Sequence, residues 1–344
     1  MTPDEHEERN GMKVSRRSFL RLCAACATAP LWAAPLSGCA ARPEFVQRTF
    51  FNFDTVCTLG GTMGQSVLNE AQEMCEHFEQ LFSRTIATSD VARINAAAGE
   101  VVEVDSQTAE LVRLALGYCE RSDGLFDITI GAVSELWDFA EGVVPSDEAI
   151  ADALPHVGWQ RVVVGQNTVR LEDPDARIDL GGIAKGYITD RLMELYATRG
   201  VTDAFVNLGG NVAVTGRNSE GRAWNVGVRD PEDASGTQVV ATISTEGGSL
   251  VTSGLYERSF EKDGKRYWHI LDPRTGYHVQ TDVVSASVYA RASIDGDGYT
   301  KPLFMMERND ALAFVESHEG IEALLIAADG NIFTTRNAHF VKRS

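Results

Sequence analysis

The sequence predicts an α+β fold with a mainly antiparallel sheet, and three observations carry that expectation. Apolar residues recur at helical spacing in three separate stretches before residue 200. From Asp203 onward the chain reads mostly as strands, with Asp263-Gly264 and Asp329-Gly330 placed where hairpins turn. No internal repeat or low-complexity linker separates the helical part from the strands, so both belong to one unit.

The elements follow in order. Phe50 to Leu59 alternates well enough for a strand. Val67, Ala71, Met74, Phe78 and Leu81 then recur at spacings of four, three, four and three, which predicts a helix running to about Phe82. A second helix opens at Ser106 as N-cap, turns Leu111, Leu114, Ala115 and Tyr118 inward and stops near Gly124. A third follows Asp179-Leu180-Gly181-Gly182, packs Ile183, Ile188, Leu192 and Leu195, and ends before Gly200. Strands are expected at Ala204–Leu208, Trp224–Arg229, Gln238–Ser244 and Val283–Ala290.

The 344 residues carry 49 Asp and Glu against 31 Lys and Arg, a net charge of −18. That balance argues against a nucleic-acid binder. A hydrophobic share of 44% with only 10 Pro is that of a globular protein able to bury a core.

Residues 1–38 read as an address. Ser15-Arg16-Arg17-Ser18-Phe19-Leu20 leads into an apolar stretch too short to span a membrane comfortably, which looks like a twin-arginine export signal. Leu36-Ser37-Gly38-Cys39 resembles a lipobox, so Cys39 is the expected lipid attachment, with residues 39–48 a short lipidated linker. The alternative is a buried helix that happens to begin with two arginines. Cleavage removes five basic and four acidic residues, leaving −19, so anchoring to the outer face of the membrane depends on the acyl chains rather than on a basic patch. The remaining Cys57, Cys75 and Cys119 have neither disulfide-framework nor metal-ligand spacing and read as buried hydrophobes.

Four segments have the residue types for chemistry. Asp179 to Gly186 places three glycines and Lys185 at a helix start, which suits a phosphate; a tight strand-to-helix turn explains the glycines equally well. Asn207-Leu208-Gly209-Gly210-Asn211 repeats the theme, with a bulge or turn as its plain reading. His269 precedes a turn containing Asp272 and Arg274, and an imidazole near a carboxylate is a candidate general base. Ser293 to Gly298 reads as a glycine-rich turn whose Asp295 and Asp297 either ligate Mg²⁺ or Ca²⁺ or simply face solvent.

In this order, the phrases GLFDITIGAVSELWDF (124–139), IDLGGIAKGY (178–187), NLGGNVAVTG (207–216), WNVGVRDP (224–231), VTSGLYERSF (251–260) and HILDPRTGY (269–277) resemble the ApbE family, the FAD:protein FMN transferases. Weaker matches at Phe53-Asp54-Thr55, Phe82-Ser83 and Ser89–Asn95 extend the resemblance, so residues 49–340 form the expected transferase domain. The resemblance implies a T-fold-like architecture and transfer of FMN from FAD to a Ser or Thr hydroxyl of an acceptor protein, releasing AMP. It implies an acceptor carrying Asp-Gly-x-Ser/Thr-x-Ala-Thr; this chain holds no such stretch, Asp329 to Thr335 coming nearest. Two other readings share the contacts: an FAD pyrophosphatase and a non-catalytic FAD-binding lipoprotein.

By the same resemblance, Phe53, Leu125, Phe126, Asp127, Asp179, Gly181, Lys185, Tyr187 and Ile270 belong to FAD binding, and His269 and Asp272 to catalysis. Mg²⁺ would be held by the Ala184 carbonyl, Asp297 and a hydroxyl. The family usually carries a Thr four residues after the metal-binding Asp, where this chain has Lys301. An ammonium cannot coordinate Mg²⁺. Three readings follow: Thr300 moves in as the ligand after a local shift, Lys301 partly replaces the metal, or catalysis is impaired while FAD binding survives; reduced or altered metal dependence is the expectation.

Overall fold

The computed structural model describes residues 44–343 except Ala234; the leader and Cys39 lie outside the described residues. The chain begins with β1 (Phe45–Asn52), β2 (Thr55–Thr62), α1 (Gln65–Phe82), α2 (Asp90–Ala96), β3 (Val102–Glu103) and α3 (Ser106–Arg121). It continues through α4 (Gly131–Ser134), α5 (Asp147–Ala153), β4 (Val162–Val164), β5 (Thr168–Leu171), α6 (Ala184–Thr198), β6 (Ala204–Leu208), β7 (Asn211–Thr215) and β8 (Trp224–Arg229). Last come β9 (Val239–Thr245), β10 (Gly247–Gly254), β11 (Ser259–Lys262), β12 (Lys265–Trp268), β13 (Val283–Ala290), α7 (Ser293–Thr300), α8 (Arg308–Glu316), β14 (Glu322–Ala327), β15 (Ile332–Thr334) and β16 (Val341–Lys342).

Eight strands form one sheet in the order β1-β2-β6-β7-β10-β13-β14-β15, and every neighbouring pair is antiparallel. Both faces are covered. Ala323 and Leu325 of β14 enter the main core with helices α1, α3 and α6, while Leu324 and Ile326 pack under the small β8-β9-β16 sheet. Side chains alternate across a strand, so a strand covered on both sides reads as an unbroken apolar run, as Ala323 to Ala327 does. A third cluster gathers Val133, Trp137, Ile150 and Leu271 beside the β11-β12 hairpin.

The α+β class, the antiparallel pairing and the two Asp-Gly hairpins agree with the sequence reading. Three local expectations are corrected. The stretch around Phe50 to Leu59 is a hairpin, because Phe53 and Asp54 both take positive φ (52° and 54°) and reverse the chain. On α1 the fully buried stripe is Leu68, Ala71, Cys75, Phe78 and Phe82, so Val67, Met74 and Leu81 sit at its margin. Ser293 to Gly298 lies within α7 and is not a turn. Its glycines serve close packing: a Cβ on Gly298 would stand 2.3 Å from the Tyr118 ring.

Smaller details hold or shift slightly. Asp105 rather than Ser106 caps α3, accepting from Gln107 N at 2.8 Å, and Leu114 is exposed. Cys57, Cys75 and Cys119 are free and buried, and burial pushes the Cys57 thiol up to about 12.

Candidate functional site

Antiparallel pairing brings one set of strand ends together. The start of β2, the β6-β7 turn and the residues after β10 share one edge of the sheet: a Cβ on Gly209 would meet Thr55 Oγ1 at 2.3 Å, and one on Gly210 would lie 3.8 Å from Glu257 Oε1. His269 joins them through its backbone N–H, which donates to Arg258 O at 3.1 Å. Against this edge stand the start of α6 and helix α7. The two helices can approach because residue 186 is glycine; a Cβ there would come within 2.7 Å of Ile294 Cα at the start of α7.

Asp297 of α7 is the centre of the arrangement. Its Oδ2 accepts from Gly186 N at 2.7 Å and from Asn211 Nδ2 at 2.9 Å, and its Oδ1 from Lys301 Nζ at 2.6 Å. Burial opposes ionisation of Asp297, but Lys301, Lys185 and the donated hydrogen bonds outweigh it and hold the carboxyl below its ordinary range. Burial also lowers Lys301, which Asp297 pulls back toward the charged form.

The glycine-rich turn lies directly over this pair. A Cβ on Gly182 would be 3.8 Å from Lys301 Cε and 3.0 Å from the Phe126 ring, so turn, ammonium and aromatic ring are mutual neighbours. The α6 N-terminus has no side-chain cap among the described residues and no acidic residue in its first turn, and Lys185 follows at its second position. An uncapped helix start beside two lysines favours an anion.

Two titratable groups border the same space. Glu257 is reached by solvent yet ringed by protein, and this crowding raises it to about 7 against the pull of Lys185, Lys301, Arg258 and Arg229. Burial and the charges of Arg258, Lys301 and Lys185 lower His269 to about 3, so its ring is neutral at physiological pH. Its Nδ1 is buried with no hydrogen-bond partner among the described residues.

The other sequence-predicted residues separate into those at the cleft and those elsewhere. Phe126 is at the cleft, with half-buried Leu125 before it, and Ile270 is buried immediately after His269. Phe53 occupies the left-handed turn, its N–H donating to Glu79 Oε1 at 2.9 Å. Asp179 shapes the glycine turn by accepting from Gly181 N at 2.8 Å. Ala184 is the first residue of α6.

Three groups are committed to the scaffold. Asp127 accepts from Thr129 N at 2.7 Å, Thr129 Oγ1 at 2.6 Å and Trp159 N at 3.1 Å. Tyr187 is buried edge-on against Phe78 and Phe82, its hydroxyl donating to Glu110 Oε2 at 2.5 Å. Asp272 does not reach His269: its carboxylate accepts from Arg274 N and Nε, both at 2.9 Å, and closes the turn.

The hydroxyl of Thr300 likewise turns away from the Asp297 carboxylate. It accepts from Ser253 Oγ at 3.0 Å and donates to the backbone carbonyl of Asp297 at 3.3 Å. This donor set does not fit Mg²⁺, since an ammonium already stands on the carboxylate oxygen that a metal would need. Asn211, Ser253 and Glu257 escaped the sequence reading. Their signal was the motif each sits in, NLGGN or VTSGLYE, but the spacing could not reveal which side chain turned inward.

Fold and cleft together define an α+β protein in which an uncapped helix start and Lys185 lie beside Lys301 and the Phe126 ring. Residues 50–325 match the ApbE family, and the chain belongs to that family of enzymes. It is 34% identical over 285 residues to the FAD:protein FMN transferase of Treponema pallidum (strain Nichols), covering 78% of each chain. It is also 34% identical to one of Klebsiella pneumoniae (strain 342), over 78% of this chain and 84% of that one. Among solved structures, the apbe protein of Thermotoga maritima superposes with a TM-score of 0.79 at 31% identity, covering 85% of this chain and 97% of that one. The flavin transferase ApbE of Vibrio cholerae gives 0.75 at 25% identity, covering 85% and 96%.

Proposed function

We propose that this protein splits the pyrophosphate of FAD and transfers the FMN half to a Ser or Thr hydroxyl of an acceptor protein. The acceptor oxygen attacks the phosphorus of the FMN half, the bridging P–O bond breaks, and AMP leaves with the bond's electron pair. The observation that carries this reading is the meeting of the uncapped α6 start, Lys185 and Lys301 beneath the Gly181-Gly182 turn, with Phe126 alongside. Fixed positive charge where phosphate charge develops is the main demand of such a transfer.

In this reading Leu125, Phe126, Ile270 and Phe53 bound the flavin pocket, and Gly181 and Lys185 hold the pyrophosphate. The neutral ring of His269 takes the proton of the attacking hydroxyl. Asp127, Asp179, Asp272 and Tyr187 position the walls through the hydrogen bonds described above. The acceptor carries an Asp-Gly-x-Ser/Thr-x-Ala-Thr-like stretch. Residues 49–340 form the transferase domain, held at the outer face of the membrane through lipidated Cys39. No helix among the described residues is long and apolar enough to cross a membrane.

Mass spectrometry of an acceptor peptide after incubation with the protein and FAD tests the reading. A gain of one FMN with matching AMP is expected. AMP with unmodified peptides would instead identify an FAD pyrophosphatase, and bound FAD with neither product a binding protein.

A further inference from the structure

We propose that the Lys301 ammonium is the resident cation of this cleft, standing on Asp297 in place of a divalent ion and presenting its charge to the pyrophosphate of the bound dinucleotide. The inference rests on the flavin-transfer reading for its ligand, but its cation half stands on geometry alone.

Lys301 Nζ donates to Asp297 Oδ1 at 2.6 Å and also lies 3.2 Å from the Asp297 carbonyl, so the ammonium is fixed at both ends of one residue. Its side chain is 17% exposed and that of Asp297 1%, which leaves the cation facing the cleft and the carboxylate sealed behind it. The second carboxylate oxygen is filled by Gly186 N and Asn211 Nδ2. A divalent ion demands several oxygens around it, and the hydroxyl of Thr300 is bonded to Ser253 and its own helix. An ion entering here would also confront a positive charge already seated on its principal ligand.

The position of the ammonium suits a phosphate. Lys301 Cε underlies Gly182, the residue whose missing side chain opens the turn before α6, and Lys185 stands on the same helix start. Ammonium binds phosphate as a point charge, without the geometric demands of a metal sphere. Asp297 then orients Lys301 rather than binding a metal.

The test uses full-length protein and two independent titrations, FAD by quenching of its fluorescence and Mn²⁺ by its electron paramagnetic resonance signal. The native protein should bind FAD equally in chelator and in Mg²⁺, and bind no stoichiometric Mn²⁺. Lys301→Met should weaken FAD binding by about tenfold or more, unrescued by Mg²⁺, while Lys301→Arg keeps most of the affinity. Lys301→Thr should gain Mn²⁺ binding and make FAD affinity depend on Mg²⁺. Thermal melts of each variant separate lost binding from lost fold, and Asp297→Asn combined with Lys301→Met supplies a variant without an unpaired buried charge.

One tightly bound Mn²⁺ in the native protein, abolished by Asp297→Asn, would overturn the proposal. So would unchanged FAD affinity in folded Lys301→Met. Absence of FAD binding under every condition would instead remove the flavin reading, and the Mn²⁺ titration would still decide the cation.

Discussion

The backbone N–H of Gly186 donates to Asp297 Oδ2 at 2.7 Å, tying the start of α6 to α7 across 111 residues of sequence. The bond exists only because the helices touch where residue 186 has no side chain. Gly186→Ala would place a Cβ 2.7 Å from Ser293 O and Ile294 Cα, both backbone, so the helices must part. The expected cost is about 1–3 kcal/mol in urea unfolding, with weaker FAD binding from the misplaced helix start.

Removing one member of the Asp297–Lys301 pair should cost more than removing both. Lys301→Met leaves a buried carboxylate unpaired and should lower stability by about 3–5 kcal/mol, whereas adding Asp297→Asn should recover much of that loss. A double-mutant cycle by chemical denaturation measures the coupling. The pH dependence has a fixed sign. Asp297 is held below its ordinary range, so its contribution is full above the unfolded-state value and is lost as pH falls through the lowered folded one.

Much of the fold was legible because its patterns are local. The α6 apolar spacing and the Asp-Gly hairpins announce themselves over a few residues. What stayed hidden depends on distant partners. Ser293 to Gly298 carries two glycines and two aspartates, poor helix formers, and is helical because Tyr118 and Val251 pack against those glycines while Asp190 accepts from Ser293 N and Ile294 N. A glycine would suit the left-handed turn of the first hairpin, yet Phe53 and Asp54 occupy it, so no turn signal marked it.

The site was legible in the same uneven way. Its glycine turn, Lys185, His269 and Asp297 stand in recognisable phrases, and Lys301 was visible as a departure. That Asp272 belongs to Arg274, Tyr187 to Glu110 and Thr300 to Ser253 follows from side-chain directions, which spacing does not encode.

Glu257 should impose a pH dependence on ligand binding. Crowding raises its carboxyl to about 7, so it is uncharged below that pH and repels a pyrophosphate above it. FAD affinity should fall as pH rises through about 7, and Glu257→Gln should flatten the profile, both read by fluorescence titration.

His269 should matter to turnover rather than to binding. Its ring is neutral and able to accept a proton, so His269→Ala should slow transfer by roughly a hundredfold or more with little change in FAD affinity. Single-turnover kinetics alongside an FAD titration make the comparison.

The most direct test of the whole account is the mass of an Asp-Gly-x-Ser/Thr-x-Ala-Thr peptide after incubation with the full-length protein and FAD in a chelating buffer, with AMP followed in parallel. A gain of one FMN and equal AMP, unchanged by added Mg²⁺, is the predicted result. Modification that vanishes in chelator and returns with Mg²⁺ would contradict the role assigned to Lys301, and an unmodified peptide under both conditions would contradict the transfer itself.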